Sequence, residues 1–235
     1  MSDVWSVLVT GPASHPEPWL AAAREAGWEP THWPLLECVE GPDMIPDDVK
    51  PDWIAITSSN AIPTLEAAAA AKPLLKKVPL AVVGQATAER LYQAGWEPRI
   101  VPAPGASHAR GLAQALLAEC NANCTVLWPR SVRASEFGEL LSEAGHTVVD
   151  PAVYDVQPRA VDAAPRTDVV FFASPSAVQA WIAMGSDWKP AVLAIGWTTF
   201  EAVLEHAEHF SITVPLAAPE PNAFGQALES FVPTE

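Results

Sequence analysis

Five short clusters of small polar residues carry most of the chemistry available to this chain. They are Thr57-Ser58-Ser59-Asn60, Gly84-Gln85-Ala86-Thr87, Arg130-Ser131, Ser174-Pro175-Ser176 and Gly196-Trp197-Thr198-Thr199. Each follows a short apolar run and precedes a helical pattern. The first amides of a helix lack intrahelical partners and lie at the positive end of its dipole, so such ends hold carboxylates or phosphates. The same hydroxyls could equally be N-caps that serve only their own helix. Taken singly, each cluster reads as a cap; taken as a repeated set, they also describe a cleft for an anion. Arg130 and Arg133 are the side chains best shaped to clamp a carboxylate, because a guanidinium presents paired donors. Arg133 also fits an exposed arginine in a first helical turn.

Other chemistries lack their residues. The three cysteines, Cys38, Cys120 and Cys124, are too few and too odd in number for a disulfide framework. Cys120 and Cys124 have the spacing of half a metal site, but no second Cys or His pair follows at a matching interval. The expectation is two reduced thiols near a helix end, and no metal. His206 and His209 lie three apart among glutamates and read as a solvated helix end. The chain has no Gly-x-Gly-x-x-Gly or Walker loop, no Gly-x-Ser-x-Gly elbow and no His-Glu-x-x-His. What remains suits a reaction that needs shape and charge placement more than strong acids and bases.

The elements that must position these clusters are legible. Val7-Leu8-Val9, Trp53-Ile54-Ala55-Ile56, Ala81-Val82-Val83, Val126-Leu127, Val169-Val170-Phe171-Phe172 and Leu193-Ala194-Ile195 are too short for helices and apolar on both faces. That pattern predicts central parallel strands. Ser176 with Gln179 and Thr198 with Glu201 have capping-box spacing. Gly27, Gly95 and Gly145 mark helix ends. Alternating strands and helices predict an α/β fold of doubly wound parallel sheets.

The pattern is also duplicated. Four blocks recur in the same order, and their offset drifts from 119 residues (Leu8 and Leu127) to 116 (Asp52 and Asp168) to 112 (Gly84 and Gly196). Small loop insertions account for the drift. Segments rich in Pro and acidic residues, at 40–51 and 155–165, read as crossovers between two globular bodies.

The chain has 235 residues, about half of them apolar, and a net charge of −15. The acidic surface argues against nucleic acid as a partner and makes a polyanion harder to attract. No apolar run is long enough to span a membrane. The residues from Met1 to Trp5 lack a signal-peptide pattern, so a cytoplasmic location is expected.

The blocks together resemble uroporphyrinogen-III synthase over nearly the whole chain. The residues that carry the likeness are 52–62, 81–91, 126–133, Ala152-Val153-Tyr154, 172–178 and 194–199. The resemblance implies two flavodoxin-like domains, pseudo-duplicated and joined by a two-stranded β-ladder linker. One domain would comprise residues 1–37 with 157–235 and the other 40–153, with crossovers near 36–42 and 152–160. It implies a monomer without metal or organic cofactor that closes the linear tetrapyrrole hydroxymethylbilane to uroporphyrinogen III. The last pyrrole ring is inverted and water is lost. A transient hand-over from hydroxymethylbilane synthase is the implied partner contact.

The residue matching the family's helper tyrosine is Tyr154, at a strand end just before the crossover; it could also be an interfacial tyrosine with a wet hydroxyl. The substrate's eight carboxylates would be held by Thr57, Ser58, Ser59, Gln85, Thr87, Arg130, Ser131, Arg133, Ser174, Ser176, Thr198 and Thr199. Trp197, where a proline is common, would narrow the cleft, stack on a pyrrole or simply pack. The family often carries arginine after its first strand, whereas this chain reads Val9-Thr10-Gly11-Pro12. That departure keeps open two alternatives: a non-catalytic two-lobed binding protein for an anionic small molecule, and an inactive synthase paralogue.

Overall fold

The computed structural model describes residues 4–11, 16–121, 123–161 and 163–231; Pro12 of the departing segment lies outside them. Among the described residues the order is β1 (Ser6–Val9), α1 (Glu17–Glu25), β2 (Glu29–His32), β3 (Leu36–Glu40), β4 (Trp53–Ile56), α2 (Ile62–Ala71), β5 (Leu80–Val82), α3 (Gln85–Gln93), β6 (Pro98–Ile100), α4 (Ala109–Glu119), β7 (Thr125–Leu127), β8 (Arg130–Ser131), α5 (Glu136–Glu143), β9 (Thr147–Val149), β10 (Ala152–Pro158), β11 (Val169–Phe172), α6 (Pro175–Met184), β12 (Ala191–Ala194), α7 (Trp197–Leu204), β13 (Thr213–Pro215) and α8 (Pro221–Ser230). Two compact units result: Met1–Glu37 with Gln157–Glu235, and Cys38–Val156.

The first unit holds a five-stranded parallel sheet in the order β13-β12-β11-β1-β2. The second holds another, in the order β6-β5-β4-β7-β9. Matching β7 to β1, β9 to β2 and β4 to β11 makes the two spatial orders identical. The duplicated sequence blocks therefore occupy equivalent places, with the chain entering the second unit at a different strand. Even a polar detail repeats. Asp52 Oδ2 accepts from Thr125 N at 2.8 Å, and Asp168 Oδ2 accepts from Ser6 N at 2.7 Å. Each carboxylate thus ties the start of one strand to the start of its neighbour, and satisfies an amide there.

Strand alternation fills a core on each face of each sheet. In β4, Ile54 and Ile56 join one cluster while Trp53 and Ala55 join the opposite one. In β11, Val169 and Phe171 face one way and Val170 and Phe172 the other. All eight of these side chains are buried. That double burial is why the strands read as unbroken apolar runs.

Gly27, Gly95 and Gly145 take the expected positive φ at helix ends, 82°, 75° and 87°. Near His206 to His209, where no such glycine occurs, a 3-10 turn covers Ala207–His209. The capping boxes do not form. α6 starts two residues earlier than the spacing predicts, with Pro175 in its first turn and Ser174 Oγ accepting from Ala177 N at 3.2 Å; proline's fixed φ suits that place. α7 is capped by the extended backbone of Gly196, without a side chain. Glu201 accordingly accepts from Trp197 Nε1 at 2.9 Å instead.

β3 and β10 carry the chain between the units. They form not a two-stranded ladder but a three-stranded sheet, in the order β3-β10-β8. The two residues of β8 run parallel to β10, with Arg130 N donating to Pro151 O and Val132 N to Tyr154 O, both at 3.0 Å.

Candidate functional site

In each five-stranded sheet the strand order reverses at one point, and ligands of open α/β sheets bind beyond the carboxyl ends of the strands there. In the second unit that point lies between β4 and β7. The residues just after them, Thr57 and Trp128, join directly: Trp128 Nε1 donates to Thr57 Oγ1 at 2.9 Å. Above this bridge opens a cavity of about 560 Å³, whose lining includes Thr57, Ser107, His108, Trp128, Arg133 and Tyr154. The volume is that of a small-molecule site.

Trp128 is 1% exposed and packs on Phe137 at 5.1 Å. Its room comes from Gly138 in α5, where a Cβ would lie 2.9 Å from the indole. A glycine inside a helix costs roughly 0.5–1 kcal/mol against alanine. Here it admits the ring that orients Thr57.

Tyr154 is 7% exposed and sits inside β10 rather than at a strand end. Burial pushes its phenol above the ordinary value; hydrogen bonds with the hydroxyls of Ser58 and Ser131 act the other way without winning, and Cys38 adds to the rise. The register supports this grouping, since Tyr154 pairs with Ser131 of β8. Ser58 also caps the following turn, accepting from Asn60 N at 3.3 Å. Three residues picked from sequence thus meet around one neutral O–H at the edge of the cavity.

The two arginines divide. Arg130 donates from Nε to Asp150 at 2.7 Å and from NH1 to the carbonyls of Ser131 and Val132 at 3.0 and 3.3 Å. Its guanidinium holds the β8 turn, a use its position in sequence does not disclose. Arg133 lines the cavity with its side chain 70% exposed, 3.8 Å from Asp155. At that separation, with the arginine itself so exposed, the pair is weak, and Arg133 can turn to an incoming carboxylate.

Two residues escaped the sequence reading. Arg90 NH1 donates to Ser59 Oγ at 2.5 Å, placing a cation at this strand end from 31 residues away. His108 caps α4, with Nδ1 accepting from Gly111 N at 3.1 Å. An imidazole whose Nδ1 accepts donates from Nε2, so the ring offers a second donor among the residues lining the cavity. A histidine three residues before a glycine gave no recognisable capping signal. Gln85 is exposed on the first turn of α3 and reaches Glu89 at 3.2 Å; Thr87 is half-buried on the same turn.

In the first unit the reversal lies between β1 and β11. Thr10 there is buried, its Oγ1 donating to Phe171 O at 2.8 Å. A Cβ on Gly11 would lie 3.2 Å from that of Ala173, so this strand end is built tight around a small residue. Ser174 caps α6 and Ser176 is exposed on its first turn. Trp197 is 64% exposed, contacts Phe200 at 5.1 Å and begins α7. Thr198 is exposed, but Thr199 is 3% exposed and faces the core with Ala202 and Val203. The helical period turns it inward, which removes it from the set of ligand contacts.

Comparison with known proteins gives the family. A family profile described as uroporphyrinogen-III synthase HemD matches residues 17–225. A protein of rice, Oryza sativa subsp. japonica, named as a chloroplastic uroporphyrinogen-III synthase, is 34% identical over 205 residues, which cover 78% of this chain and 67% of the rice protein. The crystal structure of a mutant uroporphyrinogen III synthase from the extremely thermophilic bacterium Thermus thermophilus shares the fold, with a TM-score of 0.58 at 17% identity across 97% of this chain and 98% of that one. With its profile matched from the first helix to the last and its sheets duplicated in the same strand order, the chain belongs to the uroporphyrinogen-III synthase family.

Proposed function

We propose that this chain carries out its family's reaction, closing hydroxymethylbilane to uroporphyrinogen III with inversion of the last pyrrole ring and loss of water. The observation that carries the reading is the neutral, buried Tyr154 phenol with Ser58 and Ser131 beside it, at the edge of a cavity flanked by Arg133 and His108. Hydroxide is a poor leaving group, and an O–H donor held on the departing oxygen lowers the barrier. Electron release from the terminal pyrrole supplies the rest of the push, so no strong acid is needed. Burial keeps the donor protonated. The amides at the starts of the helices, with Thr57, Ser59, Gln85 and Thr87 in this unit, take carboxylates. In the first unit Ser174, Ser176 and Thr198 offer donors of the same kind, and Trp197 a face on which a pyrrole could stack.

We extend the proposal to a monomer acting in the cytoplasm that receives its substrate by transient hand-over from hydroxymethylbilane synthase. Three unpaired cysteines fit a reducing compartment. No helix among the described residues is long and apolar enough to cross a membrane. Because the rice relative is named as chloroplastic, cell fractionation tests the location.

The deciding experiment generates hydroxymethylbilane in situ, then oxidises and separates the products. Spontaneous closure gives the type I isomer, and the proposal requires predominant type III. Type I alone from folded protein would replace it with the binding-protein or inactive-paralogue reading, which the tight strand end at Gly11 would then explain.

A further inference from the structure

Cys120, Cys124 and His146 meet in the second unit, at the amino ends of β7 and β9, the opposite edge of the sheet from the cavity. One ligand atom from each lies within 4.8 Å of the others. The sequence reading set the cysteines aside for want of a further ligand; the fold supplies it from 22 residues beyond Cys124, through the pairing of β7 with β9. Cys124 is buried, Cys120 is half-buried, and the buried Nδ1 of His146 has no hydrogen-bond partner. An orphaned ring nitrogen beside two thiols is unusual in a folded protein, where buried polar atoms are normally paired.

Backbone bonds hold each ligand in place. Cys120 N donates to Leu116 O at 2.9 Å as α4 ends, His146 N donates to Leu141 O at 3.0 Å as α5 ends, and Thr147 N donates to Cys124 O at 3.0 Å. The carboxylate of Asp52, fixed to Thr125 N at 2.8 Å, adds negative charge one residue from Cys124.

We propose that Cys120, Cys124 and His146 form a site for one thiophilic divalent cation of the zinc class. Two thiolates and an imidazole are ligands that zinc favours. A tetrahedral ion with bonds of about 2.3 Å to sulfur and 2.0 Å to nitrogen sets its donors about 3.5–3.8 Å apart. Each pair of atoms, at most 4.8 Å apart, therefore needs to close by no more than about 1.0–1.3 Å. Binding forms two metal–sulfur bonds and one metal–nitrogen bond, and the two thiol protons leave to solvent. One of them is the proton that Cys124 Sγ now shares with Asn121 O at 3.2 Å. No oxidation is involved. Water completes the fourth position, because no fourth protein ligand joins the cluster among the described residues. The ion would clamp the end of α4 to the starts of two strands, a role separate from the reaction proposed above.

The test uses the full chain, reduced and stripped with a chelator. Titration with Zn²⁺ against a chromophoric chelator is expected to give one ion per chain, and Co²⁺ a thiolate-to-cobalt charge-transfer band. Cys120→Ser, Cys124→Ser and His146→Ala are each expected to weaken binding by at least about 10- to 100-fold. The wild type supplies an internal control that needs no variant. Zn²⁺ should protect Cys120 and Cys124 from iodoacetamide while the exposed Cys38 reacts at an unchanged rate. Zn²⁺ binding equal to that of the variants, absence of protection, or Co²⁺ bound without a charge-transfer band would overturn the site. So would a reduced protein that takes up no ion but forms a Cys120–Cys124 disulfide in air.

Discussion

Tyr154 combines two demands that usually conflict, a polar group available to a ligand and a place in a core. Its ring belongs to the same apolar core as Ile54, Ile56 and Leu127, while its hydroxyl meets Ser58 and Ser131. Removing the oxygen leaves the packing and deletes the hydrogen bonds with Ser58 and Ser131, each worth about 0.5–1.5 kcal/mol net. Tyr154→Phe should therefore fold normally and close the ring several-fold more slowly, up to about tenfold. The type III rate in the isomer assay measures this, and an unchanged rate would remove the phenol from the mechanism. The pH dependence has a definite sign. The folded phenol holds its proton more tightly than an unfolded one, whose pKa is about 10. Its contribution to stability is thus complete below about pH 10 and is lost as pH rises through that value toward the folded one. Urea midpoints should fall across that alkaline window less in Tyr154→Phe than in wild type.

The β10 strand that carries Tyr154 depends on a close approach by the chain leaving β3. Gly41 N donates to Val153 O at 2.9 Å, and a Cβ at Gly41 would lie 2.1 Å from Ala152 O and 2.6 Å from Tyr154 N. Gly41→Ala must displace backbone on one side or the other. We expect it to cost at least about 2 kcal/mol, in the range of strained or overpacked substitutions. A melting curve checks this, and a drop of less than a degree would show that the segment yields freely. Gly138→Ala addresses α5 in the same way. Helix propensity alone would stabilise it by roughly 0.5–1 kcal/mol. The clash with Trp128 should reverse that sign and break the Thr57 bridge, which tryptophan fluorescence and thermal stability would report together.

For the whole molecule the dominant quantity is its charge, −15, set against a substrate that the family reading makes a polyanion. Long-range repulsion slows encounter, whereas the amides and arginines of the site act locally and are screened less. Raising salt from about 10 to 150 mM shortens the Debye length from about 30 to 8 Å. We therefore expect kcat/KM to rise over that interval, the opposite of a basic enzyme meeting an anion. A falling kcat/KM would mean that the field around the site, not the net charge, steers the substrate.

Much of this molecule is determined by local pattern. Runs of Val, Ile and Phe buried on both faces specify central strands, Gly27, Gly95 and Gly145 end their helices, and the ordered blocks disclose the duplication and the family. Those signals are legible because they depend on residues a few positions apart. The tertiary structure alone decided what depends on distant pairing. It joined β8 to β10 and so set Ser131 against Tyr154; it bonded Trp128 to Thr57 across 71 residues, spent Arg130 on Asp150 and brought Arg90 to Ser59. It turned Thr199 into the core and delivered His146 to two cysteines. Sheet order brings these partners together, and no short-range period in the chain encodes which strand will lie beside which.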